Sequence, residues 1–189
     1  WDSMDWHAIA DKMHDYGFLE SPIDTVTAVA RMGREAGATV LLNNSPFTTE
    51  LPRELIEASD ILLVNEHEMA QLLGINEPED DDWDSMDWHA IADKMHDYGF
   101  RQAVITLGGD GSVVIDGDDI HRISPMRVQA RDTTGCGDSF MGTILAGLSS
   151  GMTLMDSAQL ASYVSAYAAT NYGAQASYGT AAQIRAAFA

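Results

Sequence analysis

The sequence predicts an α/β fold, a Rossmann-like, mostly parallel sheet flanked by helices. Strand-like runs alternate with helix-period segments along most of the chain. The run "ATVLLNN" reads as a buried strand stopped by Ser45-Pro46. A glycine-rich stretch, "RDTTGCGDSFMGT" at 131–143, stands at the mouth of a helix, where open α/β sheets collect their ligands.

The elements follow in order. "IDTVTAVARMGREAG" is a helix ended by Gly37, "ELPRELIEAS" a short helix, "DILLVN" a strand and "EHEMAQLLG" a helix. "EPEDDDWDSMD" is an acidic surface loop. Asp87 then caps a helix with Trp88, Ile91, Ala92, Met95 and Tyr98 on one face and Gly99 at its end. "QAVITLGG" is a strand, and "GSVVIDGDDIHRIS" alternates as a hairpin that turns at Asp116-Gly117. "RVQARD" is a strand region leading to two helices, roughly 138–150 and 155–170, then a glycine-bearing loop and a short terminal helix.

One segment, "WDSMDWHAIADKMHDYGF", occurs letter for letter at 1–18 and at 83–100. Repeat architectures diverge between copies and keep a regular period, so this pair does not read as a solenoid; a recent duplication is one origin among several. The second copy has the better context. The division expected is therefore a suspect duplicate at 1–18 and one nucleotide-binding part at 19–189. The first copy's apolar face (Trp6, Ile9, Ala10, Met13, Tyr16) duplicates one that the second copy buries and so needs another surface, which points to a homo-oligomer, to poor solubility, or to a first copy that mimics some missing packing.

Composition bounds the function. The 189 residues suffice for one sizeable domain, and 29 acidic against 10 basic residues leave a formal charge of −19. Such a balance argues against nucleic acid or an anionic membrane surface as partner. No apolar run approaches a membrane span. A single cysteine excludes an internal disulfide and suits a reducing cytoplasm. The chain opens at Trp1 without an initiator methionine, as a piece of something longer would. His89 and His96 lie two helical turns apart with no third ligand, so an exposed helix face is the better reading than a metal site.

The glycines at 135 and 137 let successive backbone N–H groups converge at the start of a helix, an anion cradle strengthened by the helix dipole. Asp138 in such a cradle would repel an anion unless it works as a base on a hydroxyl attacking phosphorus. A plain glycine turn before a helix is the alternative. There is no Walker A motif, and the glycines lack Rossmann spacing.

"DTTGCGDSFMGTILAGL" resembles the second signature of the PfkB, or ribokinase-like, family of sugar kinases, and the similarity continues in order over most of residues 20–189. "VLLNNSP" is similar to the family's strand-end Asn-Pro-Ala-Pro element and "VNEHE" to its Asn-x-x-Glu motif. "ITLGGDG" matches its Thr-Leu-Gly-x-x-Gly element, and "ATNYGAQAS" resembles its monovalent-cation loop, the feature nearest to the ribokinase branch.

The resemblance implies an ATP-dependent phosphoryl transfer to a sugar hydroxyl. Asp138 would be the base, and the amides of Gly135, Cys136 and Gly137 the anion hole. Asn65 and Glu68 would organise Mg²⁺ and its waters; a surface Asn and Glu at a helix start is the alternative. Thr106, Gly108 and Gly111 would line the ATP phosphates and ribose. Asp132 and Thr134, with backbone groups of Ala168, Asn171, Gly173 and Ser177, would hold K⁺. Cys136 stands where alanine is usual, Asn44-Ser45 replace Pro-Ala, and Asn171 replaces a common arginine. The family's N-terminal half, with its Gly-Gly sugar motif and lid, has no counterpart before residue 20. Two further readings stay open: a catalytically incomplete nucleotide-binding fragment, and a nucleoside or fructose-type kinase of the same family.

Overall fold

The structure, a computed structural model, describes residues 22–189 except Pro46. The first copy of the duplicated segment, with the face expected for it, lies outside the described residues.

Helix α1 (Ile23–Glu35) starts behind Pro22, whose fixed φ suits a helix entry. It leads to β1 (Leu41–Asn43), α2 (Arg53–Ala58) and β2 (Ile61–Asn65). Helix α3 (Glu66–Leu73) follows β2 with no intervening residue and ends on Gly74 in the left-handed region. Helix α4 (Trp88–Tyr98) is capped by the Asp87 carboxylate, which accepts the amides of His89 and Ala90 at 3.1 Å. Strands β3 (Gln102–Thr106), β4 (Ser112–Asp116) and β5 (Asp119–Ile123) come next, then helices α5 (Cys136–Ser149), α6 (Leu154–Ala169) and α7 (Ala181–Ala187).

The sheet has the order β1-β2-β3-β4-β5. Strands β1, β2 and β3 run parallel, whereas β4 and β5 form the antiparallel hairpin expected from the sequence. Alternate residues of each strand serve two cores. Leu62, Val64, Ile105 and Ile115 pack with Leu55 of α2, Met69 of α3 and Met95 of α4. Ile61, Leu63, Val104 and Val114 pack with Phe140 and Ile144 of α5 and Ala158 and Ala161 of α6. Helices therefore cover both faces, which is why the parallel strands carry polar residues only at their ends, Asn43, Asn65, Gln102 and Thr106. Among the described residues, no helix is long and apolar enough to cross a membrane.

Three expectations need correction. Residues 127–132 form no strand; β5 already closes that side of the sheet, and Arg127, Gln129 and Arg131 are solvent-exposed, so no apolar face drives pairing. The acidic loop is not all surface. Trp83 is buried at its centre, and its carbonyl accepts the indole N–H of Trp88 at 3.1 Å. Helix α5 begins at Cys136, two residues before the expected start, because Gly135 adopts a left-handed φ of 77° and serves as its N-cap.

Candidate active site

Parallel strands direct their carboxyl ends to one side of the sheet, and there Asn43 ends β1, Asn65 ends β2 and Thr106 ends β3. The N-terminus of α5 faces these ends. A cleft of about 190 Å³ lies between them, lined by Asn65, Glu68 and Thr106 on one side and by Gly135, Gly137 and Asp138 on the other. The residues expected as base, as anion-binding turn and as Mg²⁺ organisers thus meet at one place.

Asn65 and Glu68 bind each other first. The Asn65 side-chain oxygen accepts the Glu68 amide at 2.8 Å, and the Glu68 carboxylate accepts the Asn65 amide at 2.8 Å. This reciprocal capping box starts α3, so the spacing has a structural role of its own. One carboxylate oxygen carries that bond, which leaves Glu68 Oε1 available on the cleft wall. Glu66, between them, is half-buried, and burial pushes its carboxyl above the usual range, aided by the nearby charge of Asp110.

Beyond Thr106 the chain turns through Gly108–Asp110, closed by the Leu107 amide donating to the Gly111 carbonyl at 2.8 Å. Gly111 has φ of 93°, and a Cβ there would run into the carbonyl of Ile123. Gly108 and Gly111 belong to this turn and not to the cleft wall; Gly108 faces the Glu66 carboxylate.

Asp138 occupies the first turn of α5, exposed, with no hydrogen bond to its carboxylate among the described residues. The amides of Gly135 and Gly137 also lack partners among the described residues. The Cys136 amide differs from its expected role, since it donates to the Thr133 carbonyl at 3.1 Å. The Cys136 thiol points away from the cleft toward the Ser165 carbonyl of α6, at 3.6 Å. Burial pushes this thiol up, with Asp132 adding to the effect, so the helix terminus does not make it a ready thiolate.

Asp132 joins the loop before α5 to the loop after α6. Its carboxylate accepts the amides of Thr134 at 2.9 Å and Gly173 at 2.8 Å, and these bonds hold it below the usual carboxylate range. The Arg131 amide donates to the Ala169 carbonyl at 2.7 Å. The Ala168 carbonyl accepts the Asn171 amide at 3.0 Å, and the Ser177 hydroxyl donates to the Ala174 carbonyl at 2.6 Å. The carbonyls of Asn171 and Gly173 accept nothing among the described residues. The Asp132 carboxylate and the carbonyls of this loop are oxygen donors, the kind that hard cations take.

Sequence reasoning missed four residues. Asn43 and Ser45, placed in the strand-end element but given no role, line the cleft, and the rule that ligands gather at strand ends identifies Asn43. Glu66 carried no signal beyond its neighbours. Tyr178, whose hydroxyl donates to the Gly135 carbonyl at 3.0 Å, carried none. A larger groove of about 480 Å³ lies at the opposite ends of β2 and β3. Its polar groups are already paired, Arg34 with Asp60 at 3.0 Å and Gln102 with Asp116 at 2.7 Å inside the groove, and Glu57 with Arg53 and Arg101 with Asp118 outside it, and it contains none of the expected site residues.

The family model for pfkB family carbohydrate kinases matches residues 16–181. The chain belongs to that family. Within this carbohydrate kinase family, the bifunctional ribokinase/ribose-5-phosphate isomerase A of Fructilactobacillus sanfranciscensis is 35% identical over 163 residues, 86% of this chain and 29% of that protein. The ribokinase of Schizosaccharomyces pombe is 31% identical over 172 residues, 90% of this chain and 53% of that one. The structure of Arabidopsis thaliana ribokinase complexed with ribose and ATP superposes with a TM-score of 0.76 at 25% identity, covering 87% of this chain and 52% of that one. The pfkB-family chain described here thus spans about half the length of the ribokinases it matches.

Proposed function

We propose that this chain supplies the nucleotide, base and cation half of an ATP-dependent sugar kinase, with a ribose-type sugar as acceptor. The observation that carries the reading is one cleft where Asp138 and the glycine turn of α5 face Asn65, Glu68 and Thr106. The names of the ribokinase relatives support the substrate class.

In this reading Asp138 takes the proton of the attacking sugar hydroxyl. That oxygen forms its bond to the γ-phosphorus, the bond from the γ-phosphorus to the β,γ-bridging oxygen breaks, and ADP leaves with the electron pair. The amides of Gly135 and Gly137 face the charge on the migrating group, and the Cys136 amide, held by the Thr133 carbonyl, fixes the turn between them. Thr106 and the turn through Gly108 and Gly111 border the phosphates and ribose. Glu68 and Asn65 would hold Mg²⁺ through water, which supplies charge neutralisation at the phosphates. Asp132, Thr134 and the backbone of Ala168, Asn171, Gly173 and Ser177 would hold K⁺, which supplies a fixed positive charge behind the anion-binding turn. A reducing cytoplasm agrees with the single cysteine.

A second reading, nucleotide binding without turnover, is favoured by the share of the relatives that the chain spans. Calorimetry with MgATP and a coupled assay for ADP release with ribose separate the two. Turnover that falls about 10²–10⁴-fold in Asp138→Asn, with MgATP affinity retained, supports the kinase. Binding with no turnover selects the second reading, and equal turnover by Asp138→Asn removes the base assignment.

A further inference from the structure

Tyr178 has no part in the reading above, yet it touches the centre of the site. Its hydroxyl donates to the Gly135 carbonyl at 3.0 Å from 43 positions along the chain. That same carbonyl accepts the Ser139 amide at 3.0 Å. The carbonyl of Gly135 and the amide of Cys136 are two ends of one peptide unit, and the amide end is held by Thr133 at 3.1 Å. Three bonds therefore fix a single peptide plane at the N-terminus of α5. The approach is possible because residue 135 has no side chain: a Cβ there would lie 2.7 Å from the Tyr178 hydroxyl and 2.9 Å from Ala174. The phenol also senses Asp138. Burial raises its pKa first, and the Asp138 and Cys136 charges add to that shift.

We propose that Tyr178 is a positioning residue: its hydroxyl orients the Gly135–Cys136 peptide so that the α5 amides meet the terminal phosphoryl group of a nucleoside triphosphate. The inference rests on the proposed reading of the cleft. Amides aimed at developing charge are effective only when held in place beforehand, and a peptide plane free to rotate loses that advantage. Tyr178 sits at the end of the loop that Asp132 also grips through Gly173, so closure of this loop and readiness of the anion-binding turn become one event.

The test is Tyr178→Phe in the intact chain, which removes one hydroxyl and keeps the ring. Calorimetry compares the β,γ-imido analogue of MgATP with MgADP, and a melting curve checks the fold. The expected result is a loss of about 2- to 12-fold for the imido analogue, the equivalent of one net hydrogen bond. MgADP, which lacks the terminal group, keeps its affinity. Equal losses for both ligands would make Tyr178 a general support of the fold, and no loss for either would make the contact idle; each overturns the inference. If the wild-type chain binds neither ligand, the reading of the cleft fails first and this inference goes with it.

Discussion

The Asp132 carboxylate holds the Gly173 amide, 41 positions further along the chain, at 2.8 Å. Its other oxygen takes the Thr134 amide at 2.9 Å, so one side chain closes the C-terminal loop onto the start of the anion-binding turn. Asparagine in its place keeps one acceptor and loses the other. Asp132→Asn is therefore expected to raise amide exchange at Gly173 while the strands stay protected. The folded pKa is lowered, so this stabilisation is present above the unfolded value near 3.8 and disappears as pH falls through the folded one. Exchange at Gly173 equal to wild type at pH 7 would contradict the tie.

Glu68 combines a capping role with a proposed Mg²⁺ role, and two substitutions separate them. Glutamine at this position keeps an acceptor for the Asn65 amide. Glu68→Ala is expected to cost about 1 kcal/mol, a fall of roughly 2–4 °C in melting temperature. Glu68→Gln should melt within about 1 °C of wild type, a residual of a few tenths of a kcal/mol. Both should weaken MgATP binding in calorimetry. Retained MgATP affinity in Glu68→Gln would leave only the cap.

The two glycines of the turn should respond in opposite ways. Gly135→Ala puts a side chain into a left-handed backbone and against Tyr178, and it should destabilise by at least about 1–2 kcal/mol. Gly137 is helical, and its Cβ position meets nothing within 4 Å. Gly137→Ala should leave stability unchanged or raise it by up to about 1 kcal/mol, yet weaken binding of the ATP analogue. Thermal melts and calorimetry on both variants check this. A Gly135→Ala protein as stable as wild type would contradict the observed turn.

His67 pairs with Glu77 at 3.0 Å and lies edge-on to Trp83 at 5.9 Å between ring centroids, tying α3 to the acidic loop. The hydrogen bond to Glu77 raises the imidazole's pKa, with the charges of Glu66 and Asp81 helping. A raised folded pKa stabilises below the unfolded value near 6.5 and loses that contribution as pH rises through the folded one. The pair is half-exposed, so screening limits it to below about 1 kcal/mol. Wild type should out-melt His67→Gln at pH 5.5 and match it at pH 8.5. A constant difference at both pH values would rule out the charged pair.

The sheet was legible because each strand had its own punctuation. Pro52 opens α2, Gly74 ends α3, Asp87 and Gly99 bracket α4, and Gly117 turns the hairpin. The cleft was legible where motif residues sit on strand ends or helix starts, as Asn65, Thr106 and Asp138 do. Directions within the turn were not. A helix start two residues earlier than expected carries the Cys136 thiol round toward α6, and sequence periodicity does not resolve that rotation. Tyr178 was illegible for another reason: its partner lies far away in sequence, and nothing local marks a tyrosine in a loop as a hydrogen-bond donor. Trp83 was obscured by its acidic neighbours, though the large side chain sits under the loop. Asn65 and Glu68 satisfied a ligand pattern and a capping pattern at once, and only the structure shows the second in use.

The order in which the strands pair has a kinetic consequence. Strands β3, β4 and β5 are consecutive hairpin neighbours within residues 102–123, whereas β2 and β3 join only after the whole of α3 and α4 has been spanned. Loop closure over short separations is the faster event, so the β3-β4-β5 meander is expected to form ahead of the parallel pairing. Thr106 and the Gly108–Gly111 turn would then be in place early, while Asn65 and Asp138 arrive with the later-docking segments. Pulse-labelled hydrogen exchange during refolding should show the amides of β4 protected before those of β1. A chain caught part-way would hold Thr106 without the Asn65 and Asp138 that complete the cleft, so a nucleotide bound as proposed would stabilise only the last stage of folding.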